Sequence, residues 1–350
     1  MHHRLGMESA NIQQALAIYR LSDALIPTAV VGNVQSLSLE SWDGDSPNDA
    51  LQLYFSQFNS PYISKFYVEQ TIDGWEPCQR KLSSHLSQYP LSPIQLNTTP
   101  KTHFVAEVNA IKSLISQKRG SKIVAARTTV IEKVVDETSL WQSFEMLCSK
   151  YPSAFVFLLM DPTLGTWMGA TPERLIEWKQ DDARIMSLAG TLTQSQADWT
   201  GKERSEQTVT SEFIREKVEA LGLIPVESEV RELAMGNIRH LMSDWHFPLE
   251  RSLLHSFIRG LHPTPAVGGY PQEWAVNWIL ENEGFDRCLY AGFIGIETPN
   301  LANYQVVLRC CSVGSNGYML YGGCGVNEAS DPEIEWQETS AKMQLIASYL

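Results

Sequence analysis

The feature that most constrains the fold is a series of short apolar segments between residues 122 and 326, separated by turns or by amphipathic stretches. The last of them, Cys288–Glu297, Asn303–Val313 and Tyr318–Val326, are joined only by the turn sequences TPNLA and GSNG. We therefore expect these strands to form an antiparallel meander. Further strands are predicted over Lys122–Val135, Ala154–Met160, Thr166–Trp178 (with a central Gly-Ala-Thr-Pro break) and Ala183–Leu192.

Helical patterns lie between and after these strands. In His103–Gln117 the apolar residues recur every three or four positions, which predicts an amphipathic helix. The helix predicted over Pro332–Tyr349 follows Asp331, a suitable N-cap, and has proline at its start. Helices interleaved with antiparallel hairpins predict an α+β fold, a large antiparallel β-sandwich with helices on the outside. Two more helices are predicted over Glu203–Leu221 and Gln272–Leu280.

The charge of the chain limits its partners. There are 27 Lys and Arg against 40 Asp and Glu, a formal net charge of -13, so a diffuse negative field repels nucleic acid and anionic membranes. No apolar run is long enough to span a membrane, the N-terminus has no apolar signal core, and the six cysteines show no CxxC pair. We expect a cytoplasmic monomer with reduced thiols and with no nucleic-acid or membrane partner.

Two pairs of glutamates have a spacing that suggests chemistry. On the terminal helix, Glu335, Glu338 and Lys342 share a stripe with apolar residues, where carboxylates are costly unless a cation or donor compensates them. Glu203 and Glu206 form a similar pair on an earlier helix. If the two helices face each other, the four carboxylates would raise one another's pKa values or hold a hard divalent cation such as Mg²⁺. Unrelated surface glutamates would give the same spacing.

Three further positions are candidates for a site. The segment Leu261–Gly269, LHPTPAVGG, combines two prolines and two glycines and has a fixed backbone shape that suits a site-lining loop or a rigid helix entry. Glu173 adjoins a strand break and Lys122 begins an apolar strand, although surface positions would explain both equally well. Arg309 lies inside the apolar run VVLRCC, where a cation needs a carboxylate partner, and arginine binds carboxylates in a bidentate manner.

Together these segments resemble the chorismate-utilising enzymes, and within them the isochorismate synthases of menaquinone and siderophore pathways. LHPTPAVGG and the ExxET of the last helix are the most specific motifs, and the match extends over about Lys101 to Leu350. The resemblance implies that residues 101–350 form a chorismate-binding catalytic region. Residues 1–100 would then be a variable N-terminal segment that contributes to the same sandwich. The motifs in chain order are KIVAAR, GATPERL, LAGT, KERSEQ, LHPTPAVGG, LYAGFIG, VVLRC, GGCGV and DPEIEWQETSAK.

The resemblance also implies a reaction, the Mg²⁺-dependent conversion of chorismate to isochorismate. By motif position, Lys122 would be the general base that activates water for attack at C2 of the ring, and Glu173 the general acid that protonates the departing C4 hydroxyl. The metal positions would be Glu206 and Glu338 as direct ligands, with Glu203 and Glu335 holding metal-bound water. The substrate-binding positions would be Gly190, Thr191, His262, Tyr290, Arg309, Gly323 and Lys342.

Other reactions of these enzymes are distinguished by few residues. Lys122 stands where ammonia-using anthranilate synthases have no lysine, which favours water as nucleophile. Ala189 stands where aminodeoxychorismate synthases often carry a nucleophilic lysine. Salicylate synthases share Lys122 and Glu173, so pyruvate elimination is the alternative chemistry, and a catalytically silent binding subunit is the alternative of a different class. The chain departs from many relatives at Gln207, where histidine is common, and lacks an arginine two residues after Thr191.

Overall fold

The computed structural model describes residues 14–42, 51–193 and 198–350. The sequence WDGDSPND at Trp42–Asp49 predicts a cluster of turns, and most of it lies outside the described residues. The described strands are joined by antiparallel pairing into one large sheet system with helices packed outside, which confirms the predicted α+β class. The strands are β1 (Ala15–Arg20), β2 (Thr28–Ser38), β3 (Gln52–Ser56), β4 (Tyr62–Asp73), β5 (Lys122–Glu132), β6 (Phe155–Asp161), β7 (Gly165–Thr171), β8 (Arg174–Lys179), β9 (Asp182–Leu192), β10 (Val226–Glu227), β11 (Arg231–Met235), β12 (Ile238–Pro248), β13 (Gly269–Tyr270), β14 (Phe293–Thr298), β15 (Leu301–Val306), β16 (Cys310–Gly314) and β17 (Gly317–Val326). The helices are α1 (Trp75–Gln88), α2 (Lys101–Ser116), α3 (Glu137–Lys150), α4 (Gly201–Glu219), α5 (Leu254–Leu261), α6 (Gln272–Asn282) and α7 (Pro332–Ala347), with a short 3₁₀ helix at Arg251–Leu253.

Local sequence explains where the two helices that carry the candidate carboxylates begin. The Asp331 side chain accepts hydrogen bonds from the backbone N–H groups of Glu333 and Ile334 at the start of α7. At the start of α4, Thr200 and Glu203 form a reciprocal capping box. The predicted helices over the corresponding segments are confirmed, with ends displaced by a few residues.

The predicted meander at the C-terminal end is wrong in one respect. The segment Asn303–Val313 is not one strand, because it is interrupted between β15 and β16, where Arg309 has a φ of 48°. β14 pairs with β15 and β16 pairs with β17, so two hairpins are connected through this interruption. The earlier segment breaks between β7 and β8, as its Gly-Ala-Thr-Pro sequence predicts. β7 pairs with β16 and β8 pairs with β15, so the two breaks lie side by side.

Strands from the first hundred residues are part of the same hydrogen-bonded system. β1 pairs with β6, and β3 pairs with β14. Alternate residues of β1 enter different apolar clusters: Leu16 and Ile18 pack with α3, whereas Ala17 and Tyr19 pack in the larger core. This strand is therefore buried on both faces. Within the described ranges no helix has the length and hydropathy of a membrane span, and all six cysteines are free thiols.

Candidate active site

The interrupted strands, the glycine-rich end of β17 and helix α4 surround one cavity. Its free volume is about 60 Å³, room for about two water molecules. Most of the residues singled out from the sequence line this cavity: Lys122, Glu173, Gly190, Thr191, Glu206, Tyr290, Arg309, Gly323 and Lys342.

Lys122 and Glu173 are both buried in this cavity, with 2% and 3% of their surface exposed. Burial lowers the pKa of Lys122, and the nearby ammonium groups of Lys202 and Lys342 lower it further, although Glu206, 3.4 Å away, opposes the shift. Burial raises the pKa of Glu173 to about 8, against the opposing effect of neighbouring cations. One group is therefore biased toward its neutral amine and the other toward its neutral acid, as a base and an acid require.

The carboxylates of α4 and α7 meet around a lysine that the sequence analysis did not single out. Lys202 Nζ lies 3.0 Å from Glu206 Oε1, 2.9 Å from Glu335 Oε1 and 3.8 Å from Glu338 Oε2. Burial would raise the pKa of Glu338, but Lys342, which donates to Glu338 Oε1 at 2.7 Å, and Lys202 lower it to about 2. The carboxylates raise the pKa of Lys202 despite its burial. The two lysines and the three glutamates of this cluster therefore form one buried network of ion pairs.

The donor set of this cluster fits Mg²⁺, although its present arrangement is built around an ammonium. The part of the chain that the structure describes contains no group of three or more His, Cys, Asp or Glu side chains spaced to hold a metal ion. However, all the donors are carboxylate oxygens, which Mg²⁺ prefers. Glu335 Oε2 is buried without a hydrogen-bond partner, and Glu206 Oε1 and Glu335 Oε1 face the Lys202 ammonium. A cation already lies among them in the form of Lys202. Binding of Mg²⁺ there requires the Lys202 ammonium to withdraw.

Glu203 and His262 are not among the residues that line the cavity. Glu203 is buried, and its Oε2 accepts hydrogen bonds from the Thr200 backbone at 2.9 Å and hydroxyl at 2.5 Å, so one oxygen is used to cap α4. His262 does not line the cavity. Its Nε2 lies 3.2 Å from the carbonyl oxygen of Phe58 and its ring packs edge-on against Phe293, because these groups offer a hydrogen-bond acceptor and an apolar surface behind the loop.

The loop that carries His262 nevertheless contributes to the wall of the cavity through its later residues, Ala266 and Val267. The buried guanidinium of Arg287 holds it there, since it donates to the carbonyl oxygens of Val267 at 2.9 Å and Val124 at 2.8 Å. Val124 belongs to β5, the strand that begins with Lys122. Arg287 therefore fastens the loop to the strand of the candidate base.

Arg309 is positioned by a histidine that sequence reasoning missed. Its Nη2 lies 2.6 Å from Nε2 of His240, whose Nδ1 is 3.0 Å from the carbonyl oxygen of Gly190. Because a guanidinium only donates, Nε2 must accept, and Nδ1 therefore carries the proton and donates to Gly190. Burial and the charge of Arg309 lower the pKa of His240 well below its usual value, which agrees with a neutral ring. A bulge between β9 and β12, with φ of 72° at Gly190, gives the carbonyl this position.

Glycines of β17 leave space for the charged side chains. A methyl group added at Gly325 would lie 2.1 Å from Glu206 Oε2 and 2.5 Å from Lys122 Cε, and one at Gly323 would lie 2.7 Å from the hydroxyl of Tyr290. The sequence GGCG therefore allows α4 and β5 to bring their side chains together over this strand. In the sequence, this glycine-rich segment is the local feature that indicates the close approach of Glu206 and Lys122 to β17.

The sequence of this chain is similar to those of known enzymes. A sequence model described as "Chorismate binding enzyme" matches residues 64–350. An isochorismate synthase of Catharanthus roseus chloroplasts is 33% identical over 267 residues, 70% of this chain and 45% of that protein. The salicylate biosynthesis isochorismate synthase of Pseudomonas aeruginosa is 29% identical over 265 residues, 70% of this chain and 54% of that protein. The chain spans about half the length of these curated relatives.

A solved structure has the same fold. The menaquinone-specific isochorismate synthase MenF of Escherichia coli superposes with a TM-score of 0.78 at 19% identity, over 96% of this chain and 88% of that one. At this identity the likeness concerns the fold alone. The sequence model, in contrast, covers most of the chain, including every strand and helix that lines the cavity. The chain therefore belongs to the chorismate binding enzyme family.

Proposed function

We propose that this chain catalyses the Mg²⁺-dependent isomerisation of chorismate to isochorismate. The observation that carries the proposal is the presence of Lys122 and Glu173 in one cavity with oppositely shifted pKa values, lowered for the amine and raised to about 8 for the acid. A base and an acid poised in this way suit a reaction in which water loses a proton as it attacks one ring carbon and a hydroxyl gains a proton as it leaves another. The names of the relatives from Catharanthus roseus and Pseudomonas aeruginosa support the same reaction.

In the proposed reaction, water adds at C2 of the ring and gives a proton to the Lys122 amine. The ring double bonds shift and the C–O bond at C4 breaks. Glu173 gives its proton to the departing hydroxyl, which leaves as water. One water enters and one leaves, so the product is an isomer of the substrate. Passage of the proton from Lys122 to Glu173 through solvent restores both groups.

The remaining residues of the site would bind and orient the substrate. Arg309, held by His240, is aligned to bind a carboxylate, and Lys342 lies at the same cavity. Mg²⁺ would be held by Glu206 and Glu338, with Glu203 and Glu335 around its water. When bound, it would supply the positive charge that lets a dianionic substrate approach these glutamates.

The test is to incubate purified protein with chorismate, with Mg²⁺ or with EDTA, and to separate the products chromatographically. Isochorismate formed only with Mg²⁺ is the expected result. Salicylate with pyruvate would replace the proposal by the elimination reaction, and chorismate binding without any product would indicate a silent binding subunit.

The metal assignment has its own test. Glu206→Gln is expected to raise the Mg²⁺ concentration that gives half-maximal activity by about 10- to 100-fold, because it removes a proposed direct ligand. Glu212→Gln, an exposed position on the same helix, is the matched control and should leave the Mg²⁺ titration unchanged. Equal titration curves for both variants would contradict the assignment.

A further inference from the structure

A second, larger cavity lies beside the candidate active site. Its volume is about 410 Å³, within the range of small-molecule sites. It is formed by one face of β9, β11 and β12 and by residues 150–154, from the last residue of α3 onward. Met186 and Met242 face it, whereas their strand neighbours Ser187 and Ser243 face α4, where both lie near the side-chain amide of Gln207. Its floor is therefore apolar and polarizable.

The rim of this second cavity is basic, in contrast to the acidic chain. Asp244 is the one carboxylate among the described lining residues, and it is shared by Arg174, at 2.7 Å, and Arg231. Arg184 pairs at 3.3 Å with Asp182, and both side chains are about half exposed. Cations thus outnumber carboxylates around an apolar floor. The basic lining residues are Lys150, Arg174, Arg184 and Arg231.

We propose that this second cavity binds a small aromatic carboxylate, and that its occupancy changes the affinity of the first cavity for chorismate. The ring would lie on the methionine floor, where sulfur–aromatic contacts are favourable, and the carboxylate would lie at the arginine and lysine rim. The expected change in chorismate affinity rests on the proposed function, whereas the binding of an aromatic carboxylate to the second cavity does not.

The two cavities share walls, which supplies the coupling. Pro172 lines both cavities and directly precedes Glu173. Met235 lines the second cavity, and its sulfur lies 3.9 Å from Nη1 of Arg309. Tyr151 lines the second cavity too, and its hydroxyl donates at 2.6 Å to a carbonyl oxygen of α7, the helix of Glu338 and Lys342. A ligand that displaces this wall acts on the candidate acid and on the candidate substrate arginine together.

The binding part is tested with 4-fluorobenzoate, followed by ¹⁹F NMR. A fragment of this size is expected to bind with a Kd of about 1–10 mM, and 4-fluorobenzamide, which lacks the charge, about tenfold more weakly. The double variant Lys150→Gln/Arg231→Gln should weaken 4-fluorobenzoate binding about tenfold. The control Arg119→Gln/Lys133→Gln has the same change of charge at exposed positions outside the cavity and should bind like the parent.

Equal binding of 4-fluorobenzoate and 4-fluorobenzamide, or unchanged binding by the Lys150/Arg231 double variant, would overturn the proposed binding site.

The proposed coupling between the two cavities is tested by calorimetric titration of chorismate with and without saturating 4-fluorobenzoate. The Kd for chorismate is expected to change about fivefold in the parent and not in the double variant. Bound 4-fluorobenzoate with an unchanged chorismate Kd would overturn the coupling. Failure of chorismate turnover alone would contradict the proposed function and leave both binding measurements interpretable.

Discussion

Replacing Lys122 by methionine should separate the chemistry of the site from its stability. The Lys122 side chain is 2% exposed, and its stem passes within contact distance of Gly325, where methionine can retain the packing. The substitution removes a buried amino group 3.4 Å from Glu206, but it does not isolate that carboxylate, because Lys202 remains 3.0 Å from its other oxygen. Replacing a buried charge by an apolar group of similar shape is often close to neutral, so we expect a change in the free energy of unfolding below about 2 kcal/mol.

The effect on the reaction should be much larger. A positioned general base contributes about 10²- to 10⁴-fold, so isochorismate formation by Lys122→Met should fall by at least about two orders of magnitude. The assay is the initial rate of isochorismate formation, with unfolding followed in denaturant. Lys217→Met is the matched control, since Lys217 is a partly buried lysine of α4 outside the cavity, and it should keep the parental rate. Turnover by Lys122→Met within about tenfold of the parent, in a folded protein, would refute the base assignment.

Three other outcomes follow from the geometry. Burial raises the pKa of Glu173 to about 8, so the rate should fall above about pH 8 as this acid loses its proton. Burial lowers the pKa of Lys122, and the rate should fall at low pH as this base gains a proton. A pH profile without the alkaline decline would contradict the acid assignment. Gly325→Ala should destabilise the fold by about 1–3 kcal/mol in denaturant unfolding and reduce turnover. Gly260→Ala, at an open helical position, should leave the stability unchanged or raise it by up to about 1 kcal/mol, and equal behaviour of the two variants would disprove the close approach. Burial lowers the pKa of His85 to about 4, so the unfolded chain binds a proton between pH 6.5 and 4 that the folded chain does not. After allowance for solvent screening, stability should fall by about 1 kcal/mol between pH 6.5 and 5 because of this residue. His85→Leu should lose that part of the pH dependence, and an unaltered slope would refute it.

Local patterns in the sequence predicted the elements that carry the site. The β-branched run that begins at Lys122 and the capped, proline-started helix at residue 332 both occur where the pattern indicates. The interruption at Arg309 could not be predicted in the same way, because the residues directly before and after it, VVL and CC, are apolar and contain no glycine or proline. The break lies where the pairing partner changes, because β15 pairs with β8 and β16 pairs with β7. The composition of a single strand does not predict its pairing partners.

In the candidate site, too, local sequence patterns predicted some residues, whereas others depend on tertiary contacts. Glutamates spaced three apart on helices mark a shared face, so Glu206 and Glu338 were predictable, and they meet as expected. Lys202 and His240 were not, because a lysine at a helix start and a histidine in a strand are ordinary surface and core residues until the tertiary contacts are known. His262 was placed from its motif, yet its neighbours in space, Phe58 and Phe293, decide where its ring lies. Motifs therefore predicted which segments converge better than they predicted which atoms touch.

The central claim is that this chain adds water at C2 of chorismate with loss of the C4 hydroxyl. The most direct measurement is the reaction in H₂¹⁸O with Mg²⁺, with the product analysed by mass spectrometry and NMR. The account predicts isochorismate carrying one ¹⁸O, located at C2. Isochorismate without the label, or salicylate with pyruvate in its place, would contradict it.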